Sequence, residues 1–176
     1  KACFMPTINP DRLLNDLHNL RSFGAYENGV IRLSFSDADM RSRKWLVTRM
    51  REIGLRAGID GVGNVFGRSE NEGKALLMGS HSDTQKEGGW LDGAMGVIYA
   101  LEVARSLSEN ETTKHLPLDI GSWMDEEGTY LDCLGAASFV QTMSDEDIRA
   151  AKNAEGECVA DVIRAAGLEN VPPVRM

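Results

Sequence analysis

Cysteine is scarce in this chain: three in 176 residues, Cys3, Cys133 and Cys158, with no CxxC pair among them. Neither a disulfide framework nor a thiolate zinc site is indicated, and a reducing cytoplasm is the expected setting. No apolar run approaches the length of a membrane span, and the N-terminus lacks the apolar core of a signal peptide, so no membrane partner is expected. Positive charge is also short, with 19 Lys and Arg against 27 Asp and Glu and a formal net charge of −8. That balance argues against a general affinity for nucleic acid, which needs clustered basic residues. It leaves anionic small substrates open, because a bound dication reverses the local field. There is no Walker loop and no serine nucleophile elbow. Gly61, Gly63 and Asn64 lack a dinucleotide-binding context and read as a turn. Internal repeats and low-complexity tracts are missing too.

What is present describes one globular domain, with 42% hydrophobic and 26% charged residues and enough length for a sizeable core. Leu13, Leu14, Leu17 and Leu20 share one face of an amphipathic helix over 9–21. Ser36 to Asp39 forms a capping arrangement for a second helix, which runs to Ile53 and stops at Gly54. Its apolar positions leave Arg41, Arg43, Arg49 and Arg51 on a solvated face with no chemical role. Residues 55–67 read as two strands around a turn at Asp60 and Gly61. Ala75 to Met78 fits a short strand buried on both sides. A largely buried helix is expected from Asp92 to Leu107, a strand over 116–123, and further helices over 134–142, 144–152 and 158–166, with Gly167 as a stop. Val171 to Val174 looks like a boundary. Strands alternating with helices imply an α/β fold: a layered mixed, mostly parallel sheet flanked by helices.

Three polar clusters carry the chemistry. His81 and Asp83 follow a strand, two residues apart, so extended backbone would put both side chains on one face. A metal-ligating imidazole passes its second N–H to an acceptor, and Asp83 can supply one; taken alone, the pair reads as a His in a turn beside a capping Asp. Asp92, among Gly88, Gly89 and Gly93, reads alone as a helix N-cap, although a carboxylate can also bridge two cations. Glu126 and Glu127 follow the next strand, where ligands collect in open α/β sheets; the bland reading is a solvated acidic turn. Each cluster by itself favours the bland reading, and the ordered set points to metal chemistry. Trp90 is expected to pack, and His18 and His115 to be surface or packing residues.

The run Gly79-Ser-His-Ser-Asp-Thr84, then Gly88, Gly89, Asp92, Gly93, Gly96 and Val97, then Glu126-Glu-Gly128, resembles the aminoacylase/carboxypeptidase-like metallohydrolase superfamily. The nine-residue step from Asp83 to Asp92 is similar to the N-carbamoyl-L-amino-acid amidohydrolases, allantoate amidohydrolases and β-ureidopropionases, as are Arg32 to Ser36 and the Gly63-Asn64 pair. The resemblance implies that His81 ligates one metal, Asp92 bridges two, and Glu127 binds the second. It makes Glu126 the general base and Asp83 the group that orients His81. It also implies two divalent metal ions (zinc, manganese, cobalt or nickel), a small ureido or amide substrate, and a homodimeric full-length form. Asp125 departs from the Asn or Thr common at its position.

Members of that superfamily are more than twice as long, with a second metal-binding His in a His-x-Glu-Gln-Gly stretch, a lid and dimerisation domain, and a late His ligand. No His follows His115 here. The expectation for residues 1–176 is therefore the N-terminal part of a catalytic domain, lacking the lid and the C-terminal catalytic segment. Alone, it should retain metal weakly or not at all, hydrolyse negligibly, and expose apolar surface where further strands would pair. Three functions stay open: an amidohydrolase of N-carbamoyl amino acids or related ureido compounds, an exopeptidase or N-deacylase, and a non-catalytic remnant or interaction module.

Overall fold

A computed structural model describes residues 5–176. Helix α1 (Pro10–Ser22) begins where the Asn9 side chain accepts the Arg12 amide and Pro10 takes the first turn, a position that needs no N–H donor. Two two-residue strands, β1 (Ala25–Tyr26) and β2 (Gly29–Val30), form a small hairpin that periodicity does not reveal. Helix α2 (Asp37–Glu52) is capped by the Ser36 hydroxyl, which accepts the Asp39 amide.

The main sheet contains β3 (Arg56–Ile59), β4 (Val65–Arg68), β5 (Leu76–His81) and β6 (Leu118–Trp123), in spatial order β3-β4-β6-β5. The expectation of a mixed sheet flanked by helices holds. Parallel pairing has a smaller share than expected: β5 runs parallel to β6, while β3–β4 and β4–β6 are antiparallel. Helix α3 (Ala94–Ser108) provides the crossover between the two parallel strands and packs on both. The chain closes with α4 (Leu134–Val140), α5 (Asp145–Ala150) and α6 (Val159–Ala165).

Two apolar clusters hold these elements. The larger joins Leu17 and Leu20 of α1, Leu46 and Met50 of α2, and Val97, Ile98 and Leu101 of α3 to Val65, Leu118 and Ile120 of the sheet. The smaller gathers Leu134, Ile148, Val159 and Ile163 under Met124 and Val62, beyond one end of the strands. On the opposite sheet face Phe66 meets Trp123 and Phe139, which brings α4 against the sheet.

One strand expectation is overturned. β5 is not buried on both sides: it lies at the sheet edge with one neighbour, and Leu76 is 62% exposed. An apolar run such as Ala75 to Met78 reports hydrophobicity, not the number of neighbours. Leu77, Met95 and Tyr99 are also exposed. An unpaired edge with apolar side chains is a pairing surface.

Candidate metal centre

β5 and β6 are parallel and in register, His81 opposite Trp123, so their carboxyl ends stop side by side. His81 ends β5, and the segments that leave the two strands carry Asp92, Glu126 and Glu127. His81 is buried, and its Nδ1 lies 3.1 Å from the Asp83 carbonyl oxygen. A carbonyl only accepts, so this bond puts the proton on Nδ1 and leaves Nε2 as a bare ligand atom.

Gly93 lies directly beneath the ring. It starts α3 at φ 61°, and a Cβ there would overlap the imidazole, so both the conformation and the close approach require glycine. Gly93, not Asp92, is the N-cap, and no side chain caps this helix. The N-cap explanation for Asp92 is thereby removed. Its side chain is exposed, and only its backbone carbonyl is engaged locally, by the Ala94 amide.

The turn after β6 is organised by Asp125, in left-handed conformation at φ 57°. Its buried carboxylate accepts the amides of Thr129 (2.7 Å), Tyr130 (2.9 Å) and Leu131 (2.8 Å). Asp tolerates this conformation better than most residues, and its two oxygens tie the loop; those demands account for it here. The turn delivers Glu126 Oε2 to 3.3 Å from His81 Nε2. Gln85 Nε2 donates to the Oε2 of Glu127 at 2.8 Å.

His81, Asp92 and Glu127 each offer a ligand atom, and these atoms all lie within 4.8 Å of one another. One imidazole and two carboxylates from separate segments suit a borderline or hard dication. The donor set fits a metal ion.

Asp83 sits differently from the expectation. Its main-chain carbonyl, not its carboxylate, takes His81 Nδ1; Oδ1 is 3.8 Å from that nitrogen. Oδ2 accepts the Glu127 amide at 3.1 Å, and Oδ1 is buried with no hydrogen bond. A larger correction concerns Arg43: it is wholly buried, with an ion pair to Asp39 at 2.9 Å and a distance of 3.6 Å to Asp83 Oδ1. Its spacing carried the signal, since Asp39, Arg43, Leu46 and Met50 share the stripe that faces the core. Arg32, noted only as part of a motif, was given no role, and Gln85 was missed.

Trp90 packs as expected, stacked on His18 at 5.3 Å, with Arg21 over its ring. His115 is exposed. Cys133 and Cys158 are free thiols, and Cys3 lies outside the described residues. Burial, reinforced by the charges of Glu126, Asp132 and Asp83, pushes the Cys133 thiol above its ordinary range. No helix among the described residues is long and apolar enough to cross a membrane.

The family profile of Peptidase family M28 matches residues 63–161, more than half of the chain and the whole stretch from the β3–β4 turn into α6. The chain belongs to peptidase family M28. Within that family setting, it is 32% identical over 168 residues to an N-carbamoyl-L-amino acid amidohydrolase of Geobacillus stearothermophilus, covering 92% of this chain and 41% of that protein. It is 32% identical to a probable allantoate deiminase of Oryza sativa subsp. japonica, covering 85% of this chain and 32% of that one. A crystal structure of an amidase of the hydantoinase/carbamoylase family from Burkholderia phymatum superposes with a TM-score of 0.96 at 54% identity, over 98% of this chain and 43% of that one. These relatives bear out the superfamily resemblance seen in the motifs. The chain spans about two fifths of the length of the Geobacillus and Burkholderia proteins and about a third of the Oryza protein.

Proposed function

We propose that this M28-family chain carries half of a dinuclear metal site belonging to an amidohydrolase that cleaves a linear, non-peptide C–N bond of N-carbamoyl amino acids or related ureido compounds. The observation that carries the reading is the meeting of His81, Asp92 and Glu127 within 4.8 Å, at the joined ends of two parallel strands. In this reading His81 would hold one dication and Glu127 the second, with Asp92 contributing to both. Zinc, manganese, cobalt and nickel all suit these donors. Three ligands shared by two ions leave each under-coordinated, so the remaining ligands come from the portion of the relatives' length that this chain does not span.

Dications held by these residues would acidify a bound water and polarise the scissile carbonyl. The protein's own contribution is Glu126. Its exposed carboxylate, held beside His81 Nε2, is placed to accept a proton from the attacking water and return it to the leaving nitrogen. One water consumed at the ureido carbon of an N-carbamoyl amino acid yields the amino acid, ammonia and carbon dioxide. Gly93 and the Asp83 carbonyl keep the imidazole fixed while this occurs.

A second reading, exopeptidase or N-deacylase, is favoured by one observation, the peptidase family match itself. Turnover of N-carbamoyl amino acids and of dipeptides by a protein of the relatives' full length carrying this segment separates the two. The expected outcome is a preference for the carbamoyl substrate, with Glu126→Gln lowering kcat by about 100-fold or more. A preference for dipeptides establishes the second reading, and an unchanged rate in Glu126→Gln removes Glu126 from the chemistry.

A further inference from the structure

Beneath the metal cluster lies a group that no part of the proposed chemistry uses. Arg43 projects from α2 with no exposed side-chain surface. Its Nε donates to both Asp39 oxygens at 2.9 Å. Its Nη1 donates to the carbonyls of Gly63 (3.2 Å) and Ser122 (3.3 Å), and its Nη2 to that of Trp123 (3.3 Å). These five bonds would suffice for a purely structural arginine that ties a helix to strand ends.

The remaining contact differs in kind. Nη2 faces Asp83 Oδ1 at 3.6 Å, and that oxygen is buried with no hydrogen bond. A buried carboxylate needs an opposite charge beside it. Among the described residues Arg43 is the arginine within ion-pair distance of Asp83; Arg32 also acts on Asp83 through its charge, but it donates Nε and Nη1 to the carbonyls of Ser82, Leu20 and Phe23 and leaves Nη2 without a hydrogen bond. Asp83 in turn connects two ligands: its main-chain carbonyl fixes His81, and its Oδ2 fixes the Glu127 amide. One planar guanidinium therefore touches the end of β6 and the β3–β4 turn and, through Asp83, reaches both His81 and Glu127. A lysine would supply the charge without the fork.

We infer that Arg43 is a positioning residue of the metal centre, holding the Asp83 carboxylate so that His81 and Glu127 keep their mutual geometry. The inference rests on the metal-site reading above, and one of its two readouts is independent of metal.

The test uses the 15N-labelled chain and the variants Arg43→Met, Arg43→Lys and Asp83→Asn. The first readout is metal-free amide hydrogen exchange of Glu127, whose N–H is held by Asp83, against Thr129 to Leu131, whose amides are held by Asp125. The second is Mn2+ affinity, followed by paramagnetic broadening. Arg43→Met should speed exchange at Glu127 by about ten-fold relative to the reference amides and weaken Mn2+ binding by about 10–100-fold. Arg43→Lys should recover part of both, and Asp83→Asn added to Arg43→Met should cost little more, because the two act as one unit. If Arg43→Met does not fold, Arg43→Lys still decides, with an expected loss of about three-fold or more. Uniform changes at all amides, with Mn2+ affinity within about two-fold of the parent, would reduce Arg43 to a structural role and overturn the inference. A parent chain that takes up no Mn2+ accords with its incomplete ligand set, and the Glu127 exchange ratio then decides for Arg43 alone, an unchanged ratio overturning the inference.

Discussion

Two buried ionic networks in this molecule are built from the same residue types and finished differently. In the first, between α1 and α3, the Glu102 carboxylate accepts Arg12 twice and the Asn9 amide, while Arg105 pairs with Asp16. Every oxygen of Glu102 is used. In the second, under the candidate metal centre, Arg32, Asp39, Arg43 and Asp83 balance in charge, yet Arg32 Nη2 and Asp83 Oδ1 are left with no hydrogen bond. The guanidinium groups register the contrast. The hydrogen bonds that Arg12 donates to Glu102 and Glu109 hold its guanidinium above its ordinary value, whereas burial lowers Arg32 to about 10. Native cores rarely leave polar atoms unmatched, and exceptions cluster at functional sites. The complete network clamps a helix; the incomplete one lies where three potential ligands meet.

The comparison can be broken most severely at Asp39. Asp39→Ala leaves Arg43 buried without its close partner, and chemical denaturation should show a loss of about 3–5 kcal/mol. A loss below about 1 kcal/mol would mean that the second network contributes little to the fold.

Glu102→Gln should cost less, about 1–3 kcal/mol, and leave Mn2+ binding untouched. Burial alone would raise the Glu102 carboxyl, but the hydrogen bonds from Arg12 and Asn9 and the charges of Arg12 and Arg105 outweigh it and leave it below its ordinary 4.5. A lowered carboxyl contributes stability in full above that ordinary value, and the contribution is lost as pH falls through the folded-state value. Unfolding curves of the parent chain should therefore decline on acidification from pH 5 downward (about the onset expected for such a group), and Glu102→Gln should flatten that decline. Parallel declines in both proteins would contradict the clamp.

Asp83→Asn sharpens the contrast with the smallest effect on the fold. The amide is isosteric and can still accept the Glu127 N–H, so the stability change should stay near about 1 kcal/mol. Metal affinity should fall far more than stability, the reverse of Glu102→Gln. Equal behaviour of the two variants would erase the distinction between the networks.

Much of this architecture could be read from residue order. Leu13, Leu17 and Leu20 of α1 face the core as their spacing implies, while Leu14, expected on the same face, is 50% exposed; the Ser36 cap of α2 and the small-residue face of α3 fall where periodicity places them. The β1–β2 hairpin was invisible because two-residue strands have no period to detect. The edge position of β5 was hidden because an apolar strand carries no record of how many neighbours it has. At the site, His81, Asp92 and Glu127 stood out by their ordered motifs, and the fold brings them together. Arg43 was assigned to solvent because a charged residue in a helix defaults there; its spacing from Asp39, one turn earlier on the core stripe, was the readable signal, while its link to Asp83, forty residues on, was not. The use of the Asp83 backbone, in place of its side chain, to hold His81 was likewise beyond reach, since it depends on how the chain turns after β5.

The most direct measurement is Mn2+ titration of the 15N-labelled chain beside its His81→Ala variant. Broadening should begin at the amides of His81, Asp92, Gly93, Glu126 and Glu127 and vanish from that set in the variant, even though the affinity with three ligands is weak. Broadening spread evenly over the acidic surface, or unchanged by His81→Ala, would show that these side chains meet without forming a site for a metal ion.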